Sequence, residues 1–386
     1  MLKGLYSLNE NKKFDNYDIE SHFTKKQTNI KLNIDTLENI FIEMLNYEKN
    51  KKNKANLYAD IVLKKNKSNI SNVEYNEGKN KISIKNLELS KNYKFKSIKE
   101  IKVSTYKANI KNNDFILKYG KQIEIIGSSY DSSNLIKMID SKDNKSNFST
   151  INKDIKINLK NIITKLSIPL SNFNLIGKIE KGKFVKINSK SDFSENEILD
   201  ITLKEDKINN KKILEIFSDL QKPILADYSF FKSLEGGKLL FRSSFDNAGN
   251  SDSNLNVNSF KVVEAPAFAK LLALADLQGV GDLLKGDGIS FDELEIKFSS
   301  NNKILKINEL FVIGPSISIL MDGYVENKSG LISIRGTMVP ARNLNKLISK
   351  IPLLGDILIP KEIGEGLFGV SFKMKGPPKD IKTTVN

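Results

Sequence analysis

A group of carboxylates in and just after the glycine-rich stretch 279–288 offers the best candidates for acid–base or metal chemistry: Asp282, Asp287, Asp292, Glu293 and Glu295. An EF-hand loop places acidic or amide side chains at positions 1, 3 and 5 and a glutamate at position 12, and this spacing is not met. The stretch also lacks the Lys-Ser/Thr end of a phosphate-binding loop. The pattern favours aspartates that form turns and carboxylates on solvated strand faces, so we predict no metal ion and no cofactor.

Nucleophilic catalysis has few candidate residues in this chain. There is no cysteine, and His22 is the sole histidine, so neither a multi-histidine metal site nor a Cys–His pair can form. The Gly-x-Ser-x-Gly turn of the α/β-hydrolases is also absent. We predict no catalytic residue and a non-enzymatic protein. A hydrolase that uses paired carboxylates stays open as the third alternative.

Lysine dominates the charge of the chain. The formal net charge is +15 with 61 basic residues, and only Arg242, Arg335 and Arg342 are arginines. Arginine is the side chain best suited to paired contacts with phosphates and bases, so we expect no nucleic-acid partner. The lysine runs 49–54 and 64–67 favour solvated side chains on exposed strand faces. Attraction to anionic lipid head groups is the alternative.

Period-two alternation of apolar and polar residues predicts a protein made mainly of β-strands. It runs from about 55 to 215, for example at Ile82–Ile84 and Ile155–Leu159. Asn, Lys, Gly and Ser separate the runs, which is typical of antiparallel hairpins. A weak repeat of strand and short helix is visible at 123–139 and again at 212–245, where a glycine turn and a further strand follow. We therefore predict a β-rich repeat region with short helices over residues 1–224.

Helices are predicted where the apolar spacing changes to three and four residues. The capping sequence Asp35-Thr-Leu-Glu38, followed by apolar residues at helical spacing, predicts a helix over 36–48. Further short helices are predicted at 132–139, 226–234, 267–277 and 343–349. The helix at 267–277 is too short to cross a bilayer and is expected to be buried. If the C-terminal strands form a groove, the apolar segments 266–277 and 343–354 would cap its end, plug it or touch a membrane surface, and capping is favoured.

The strands of the C-terminal third are apolar on one side only, because alternate side chains of a strand point to opposite faces. The stripes on the strands predicted at 238–245, 317–325, 331–338 and 367–375 consist of Leu239, Phe241, Phe245, Ile317, Ile319, Met321, Ile332, Ile334, Met338, Phe368, Val370 and Phe372. From the pattern alone, a closed sandwich core is the favoured arrangement of these stripes. An open apolar groove is the other.

Three groups of segments carry a family resemblance: Asp282–Phe298; Gly336–Pro340 with Leu344–Leu347 and Ile351–Gly355; and Gly364–Val370 with Gly376-Pro377 and Thr384–Asn386. Together they resemble the C-terminal region of the AsmA-like (YhdP-type) bacterial envelope proteins. The resemblance is strong over 225–386, which it identifies as an AsmA-like C-terminal region. Over 30–225 it depends on the strand and helix rhythm alone.

This resemblance implies a fold and a function. The fold is an elongated, curled antiparallel sheet of repeat-like units that forms an apolar groove, with a few short helices. The function is lipid transport: a non-enzymatic, periplasmic, inner-membrane-associated protein that conducts phospholipid to the outer membrane and supports envelope integrity. The stripe residues would then contact phospholipid acyl chains, and the inner and outer membranes or their proteins would be partners. A structural factor in outer-membrane assembly with a closed β core is the alternative.

No membrane anchor is expected in this chain. No stretch approaches about 18 consecutive apolar residues, and Met1–Glu10 lack the charged and then apolar build of a signal peptide. Proteins of the AsmA-like family usually begin with a transmembrane helix and continue past the equivalent of Asn386. The resemblance therefore implies that the chain is part of a longer, anchored protein.

Overall fold

The structure is a computed structural model that describes residues 2–6, 15–134, 150–164, 168–194, 196–225, 231–263, 269, 272, 288–340, 369–377 and 380–385. Strands account for nearly all of its regular structure, which confirms the prediction of a mainly β protein. The chain divides into two compact units, Met1–Asn196 and Glu197–Asn386. The boundary predicted between the repeat region 1–224 and the AsmA-like region 225–386 lies inside the second unit.

The first unit contains these strands: β1 (Leu2–Tyr6), β2 (Asp15–Phe23), β3 (Gln27–Thr36), β4 (Ile40–Ile42), β5 (Tyr47–Lys49), β6 (Ala55–Lys64), β7 (Lys67–Glu77), β8 (Asn80–Ser90), β9 (Phe95–Ser97), β10 (Glu100–Lys107), β11 (Ile110–Tyr119), β12 (Ile123–Asp131), β13 (Lys153–Ile163), β14 (Leu170–Glu180) and β15 (Lys183–Ser194). Strands β4 and β5 pair only with each other and form a small hairpin. The remaining strands belong to one sheet.

Most neighbours in this sheet are antiparallel and follow one another along the chain. Strands β9 and β10 both pair with β8, so together they act as one interrupted strand. Strands β12 and β13 are parallel, with Ile123 opposite Ile155 and Ile125 opposite Ile157. Parallel neighbours need a connection that returns along the length of the strands. In the chain, residues 132–152 join these two strands.

The described part of the second unit contains the following strands and one short helix: β16 (Glu197–Asp206), β17 (Lys211–Ser218), α1 (Lys222–Leu225), β18 (Leu234–Phe245), β19 (Ser251–Val262), β20 (Ile289–Ser300), β21 (Ile304–Ile313), β22 (Ile317–Glu326), β23 (Ile332–Pro340), β24 (Val370–Gly376) and β25 (Lys382–Val385). Every described pairing between them is antiparallel and joins strands that are consecutive in the chain. The unit is therefore an uninterrupted meander.

Asparagine, which is abundant in this sequence, has two roles in the sheets: it occupies solvent-facing positions in strands and it forms turns. In β14, Asn172 and Asn174 point outward to solvent, whereas Phe173 and Leu175 on the other face are half-buried or buried. Several turns need a backbone in the left-handed region, which asparagine tolerates better than most residues. Asn109 and Asn210 meet this need with φ values of 64° and 50°.

The helix predicted over 36–48 is wrong. The chain there forms β4, a 3₁₀ turn over Glu43–Leu45, and β5. Asn46 follows the turn with a φ of 47°, in the left-handed region, and a residue in this conformation ends a helical segment. The apolar residues that suggested one helical face are therefore divided between β4, which contains Ile40 and Phe41, and the 3₁₀ turn, which contains Met44 and Leu45.

The other predicted helices fall mostly outside the described residues. This applies to 343–349 in full, to 135–139, to 226–230 and to most of 267–277, where Ala269 and Leu272 are helical. Leu234, predicted as the end of a helix, instead begins β18. The strand predicted at 367–375 is described from Val370 onward, as β24.

Candidate functional site

The apolar stripes predicted on separate strands form continuous rows across the sheet of the second unit. Residues that are direct partners in neighbouring strands point to the same face. One row lies in unbroken register from β18 to β24, and we call it row A: Leu239, Val257, Leu294, Val312, Ile319, Met338 and Val370. All of these side chains are buried except that of Val370, which is half-buried.

A second row, row B, runs beside row A on the same face: Ile201, Ile216, Phe241, Leu255, Ile296, Leu310, Met321, Gly336, Phe372 and Val385. Gly336 has a specific part in it. A methyl group at this position would lie 2.6 Å from Cζ of Phe372 and 2.7 Å from Cγ of Met321. The absence of a side chain therefore allows Phe372 and Met321 to lie over the backbone of β23.

Burial decreases along the strands from row A through row B to the two rows that follow row B. The next row, row C, includes Phe298, Ile307, Ile334 and Met374, which are all half-buried. The row after that, row D, includes Phe245 and Ile332, which are also half-buried. The apolar face thus continues beyond the packed core to a partly exposed margin.

The structure brings the predicted stripe residues together on this face. Leu239, Ile319, Met338 and Val370 lie in row A; Phe241, Met321 and Phe372 lie in row B; Ile334 lies in row C; Phe245 and Ile332 lie in row D; and Ile317 is fully buried at the end of β22, beyond row A. Phe368 lies outside the described residues. Contact of these side chains with lipid stays a prediction.

The sequence prediction missed the middle of the rows. Leu255 and Val257 on β19, Ile296 on β20 and Leu310 on β21 are buried between the predicted stripes. Alternation of apolar residues in β19 is limited to Leu255 and Val257, because serines occupy the preceding inward positions, Ser251 and Ser253. Single-residue irregularities in β20 and β21 interrupt the period of two there.

One end of this face in the second unit is covered by helical residues. Leu225 of α1 and Leu272 belong to the same buried cluster as Leu239 and Ile289, and Ala269 packs against it. Burial of an aliphatic side chain of this size contributes about 1.5–3 kcal/mol. The closed end of the face is therefore a stable core, and the margin formed by rows C and D lies at the other end of the strands.

The sheet of the first unit carries an equivalent row on one face, from β2 to β14, and we call it row E: Ile19, Leu32, Ala59, Val73, Ile84, Ile101, Leu117, Ile125, Ile157 and Leu175. Ala59 and Leu175 are buried, and the other side chains of the row are half-buried. An apolar row that packs against a second sheet layer is normally fully buried. Row E is instead a partly accessible apolar surface.

The β4–β5 hairpin covers one end of this face. Leu45 and Tyr47 of the hairpin pack with Tyr75 and Val103 of the sheet in a buried cluster. The rings of Tyr47 and Tyr75 meet edge to face with their centroids 5.9 Å apart. The hairpin thus covers one end of the strands, as the helical residues do in the second unit.

A buried ring of hydrogen bonds holds this hairpin in place. The Asn113 amide donates to the Thr105 hydroxyl at 2.8 Å, and Thr105 donates to the Asn112 side chain at 2.9 Å. Asn112 donates to the Asp131 carboxylate at 3.1 Å, and the backbone N–H of Asp131 closes the ring by donating to the side-chain oxygen of Asn113 at 2.9 Å. Two bonds connect the ring to the hairpin: Asn113 donates to the carbonyl of Leu45 at 2.7 Å, and Asn46 donates to Asp131 at 2.9 Å.

The hydrogen bonds and the burial of this ring shift the pKa values of Asp131 and of its neighbour Tyr130. Burial disfavours the charged form of Asp131, but hydrogen bonds from Ser133, Asn112 and Asn46 outweigh it and lower the pKa of the carboxyl below its usual value. The pKa of the neighbouring Tyr130 is raised to about 12 by burial and by the negative charge of Asp131. The Tyr130 hydroxyl donates to the carbonyl of Met44 at 2.9 Å.

A second polar group under the hairpin is centred on Glu77. Its carboxylate accepts hydrogen bonds from Tyr47 at 3.1 Å and from Asn53 at 2.5 Å, and it also contacts Asn80. Burial and the contact with Tyr75 raise the pKa of Tyr47 well above its usual value. Lys49 is buried and donates to the carbonyl of Glu38 at 2.7 Å, and burial lowers its pKa.

Catalytic and metal-binding arrangements are not assembled by these groups. In the described part of the chain, no three His, Asp or Glu side chains lie close enough together to hold a metal ion. A general acid needs a raised carboxyl pKa. Hydrogen bonds from neighbouring lysine or asparagine side chains instead lower the pKa of the following groups: Asp35, Glu88, Asp206, Asp219 and Asp246.

Comparison with known proteins gives no match. No protein family, no curated protein and no solved structure is significantly similar to this chain. Among the described residues there is also no helix with the length and apolar character needed to cross a bilayer.

Proposed function

We propose that this protein binds lipid along the apolar faces of its sheets and conducts it between membranes. The observation that supports this most directly is row E. Its side chains are apolar in β2, β3, β6–β8 and β10–β14, yet most of them stay half-buried. An amphiphile whose acyl chain covers the row would remove this surface from water.

The energetics of such contact suit transport. Each methylene removed from water contributes about 0.8 kcal/mol without any directional bond. Because the strands are about 4.8 Å apart, a new apolar side chain of row E follows at each such step. An acyl chain can therefore exchange one contact for the next with little change in free energy, and it has no buried polar group to satisfy along the way.

The placement in the cell belongs to the same proposal. The residues of 225–386 that resemble the AsmA-like family support a bacterial envelope protein that carries phospholipid towards the outer membrane. The buried rows A and B also suit the alternative of a structural factor with a closed core. The half-buried rows C, D and E favour the lipid carrier.

The test compares adjacent residues of one strand. Ile125 of β12 lies in row E and is half-buried, whereas Ile126 points to the opposite face and is 55% exposed. The purified full chain, Ile125→Glu and Ile126→Glu are incubated with vesicles that contain a lipid with a fluorescent acyl chain, and the lipid recovered with the protein is measured.

We expect the unchanged protein and Ile126→Glu to extract lipid and Ile125→Glu to extract at least about tenfold less, because a carboxylate on the row must lose its hydration when an acyl chain covers it. Urea unfolding checks that both variants are folded. Protein that extracts no lipid, or equal extraction by the two variants, would overturn the proposal and favour the structural role.

A further inference from the structure

The hairpin turns at one end of the strands in the first unit are rich in lysine. These turns lie between β2 and β3, β6 and β7, β8 and β9, β11 and β12, and β14 and β15, at the end opposite to the β4–β5 hairpin. Their lysines are exposed and, within the described residues, have no carboxylate partner: Lys25, Lys26, Lys64, Lys65, Lys91, Lys94, Lys121, Lys181 and Lys183. We call this group the lysine margin.

The opposite end of the same strands differs in charge. Several carboxylates lie near the lysines there, and two of these lysines form ion pairs: Lys54 with Asp35 at 2.8 Å and Lys51 with Glu38 at 3.5 Å. At the end that carries the lysine margin, Lys67 and Lys96 both pair with Glu88, and the lysines of the margin are additional to these two. The margin of the second unit is also mixed, since Asp206 and Asp246 form the first positions of its turns. Among the described residues of the first unit, exposed lysines without a carboxylate partner are therefore more numerous along the lysine margin than at the opposite end, where Lys52, Lys79 and Lys107 are examples.

Apolar side chains lie directly inside the lysine margin, on the strands that lead into its turns. Leu63 precedes Lys64, and Leu89 and Phe95 flank the turn that carries Lys91. All three apolar side chains are half-buried. Since a turn recurs at every second strand, the lysine groups are spaced by about 10 Å along the margin.

This arrangement matches an amphiphile with a negative head. We infer that the lysine margin binds the anionic head groups of lipids whose acyl chains lie on row E, and so selects lipids of net negative charge. The inference depends on the proposed function, because it assumes that acyl chains occupy the apolar face. Lysine is suited to this task because its flexible stem and point charge follow a mobile phosphate without fixed geometry.

Exposed aromatic rings strengthen the assignment to a lipid and not to a free anion. Phe23 and Tyr93 lie at two of these turns and are 77% and 73% exposed. Aromatic side chains favour the boundary between head groups and acyl chains. A site for a free phosphate ion would have no use for apolar rings beside the lysines.

The experiment measures extraction of two lipids that share one fluorescent acyl chain, phosphatidylglycerol (negative) and phosphatidylcholine (neutral overall). The margin variant is the full chain with Lys25→Glu, Lys64→Glu and Lys91→Glu. The matched control has Lys52→Glu, Lys79→Glu and Lys107→Glu, which make the same change of charge at exposed positions at the other end of the strands. Urea unfolding confirms that both variants are folded.

We expect the margin variant to extract at least about tenfold less phosphatidylglycerol than the unchanged protein, since three charges that attract an anionic head group become charges that repel it. Phosphatidylcholine extraction and the control variant should change by less than about twofold. Added salt should reduce the preference for phosphatidylglycerol because the lysines are exposed.

The outcomes separate the two proposals. If the unchanged protein extracts neither lipid, the proposed function fails. If it extracts both lipids equally and the margin variant does the same, lipid binding stands and the head-group assignment is overturned. A third arm uses glycerol phosphate, which has no acyl chains. If it binds as tightly as the lipid and is lost in the margin variant, the lysines form a free-anion site and the assignment to lipid is likewise overturned.

Discussion

The side-chain amide of Asn113 lies 2.7 Å from the backbone carbonyl of Leu45 and donates a hydrogen bond to it. The two residues are far apart in the chain, and this bond joins the sheet of the first unit to the β4–β5 hairpin. Because both partners are buried, no water can replace the bond when it is broken. The position of the hairpin over the apolar face therefore depends on this residue.

Replacing Asn113 with alanine should release the hairpin. The change removes three hydrogen bonds at a fully buried position, and we expect a loss of about 2–3 kcal/mol in the free energy of unfolding. Hydrogen exchange of the Tyr47 amide should accelerate in parallel. Asn72→Ala is the control, since Asn72 makes an exposed bond to Glu74, and it should change stability by less than about 0.5 kcal/mol.

Asp131 should make the first unit sensitive to acid. Its folded pKa is below the usual 3.8, so its stabilising effect is complete above pH 3.8 and is lost as the pH falls through the folded value. In Asp131→Asn, an NH₂ group must face hydrogen-bond donors, and we expect a loss of about 3 kcal/mol at pH 7. The difference from the unchanged protein, measured by urea unfolding, should shrink below pH 4. A constant difference down to pH 2 would contradict this assignment.

Tyr130 should contribute a corresponding sensitivity to alkali. Its pKa is about 12 in the folded protein against 10.0 for a free phenol. The unfolded chain therefore ionises first, and stability falls as the pH rises from 10 towards 12. Tyr130→Phe cannot ionise, so its stability should decline less over this interval, although loss of the bond to Met44 costs about 1 kcal/mol at pH 8. Parallel pH dependence in the two proteins would show that Tyr130 does not titrate as described.

Adjacent leucines of β18 provide a test of the two-faced strand. Leu239 lies in row A and is 1% exposed, whereas Leu240 on the other face is 50% exposed. Leu239→Ala should lower the free energy of unfolding by about 2–5 kcal/mol, because it leaves a cavity in the core. Leu240→Ala should change it by less than about 0.5 kcal/mol. Similar losses in the two variants would mean that the second unit has no distinct apolar face.

Strands and their faces could be predicted from this sequence because the signal is local. Ile317 and Ile319 share a face whenever the backbone is extended, whatever lies around them. The helix predicted over 36–48 failed because its apolar spacing is equally compatible with two short strands when a sheet is present to receive them. Packing on Tyr75 and Val103, which are distant in sequence, decides between the two.

The buried hydrogen-bond ring had no sequence signal. Thr105, Asn112, Asn113 and Asp131 belong to residue types that are common in turns and on solvated faces, and only the register of β10, β11 and β12 brings them together. The lysine margin was equally hidden. A lysine run appears in the sequence, but which end of the strands it occupies depends on the order of the hairpins and on the parallel crossover.

The consecutive pairing of β16 to β25 has a consequence for how such a protein can change its length. Among the described strands, each pairs with the strands next to it in the chain, so duplication or deletion of one hairpin in the gene would leave the pairing of the other strands intact. Each added pair of strands would lengthen the rows by about 10 Å. Insertions within a strand are more restricted, because one additional residue would turn the apolar side chains that follow it to the opposite face of the sheet.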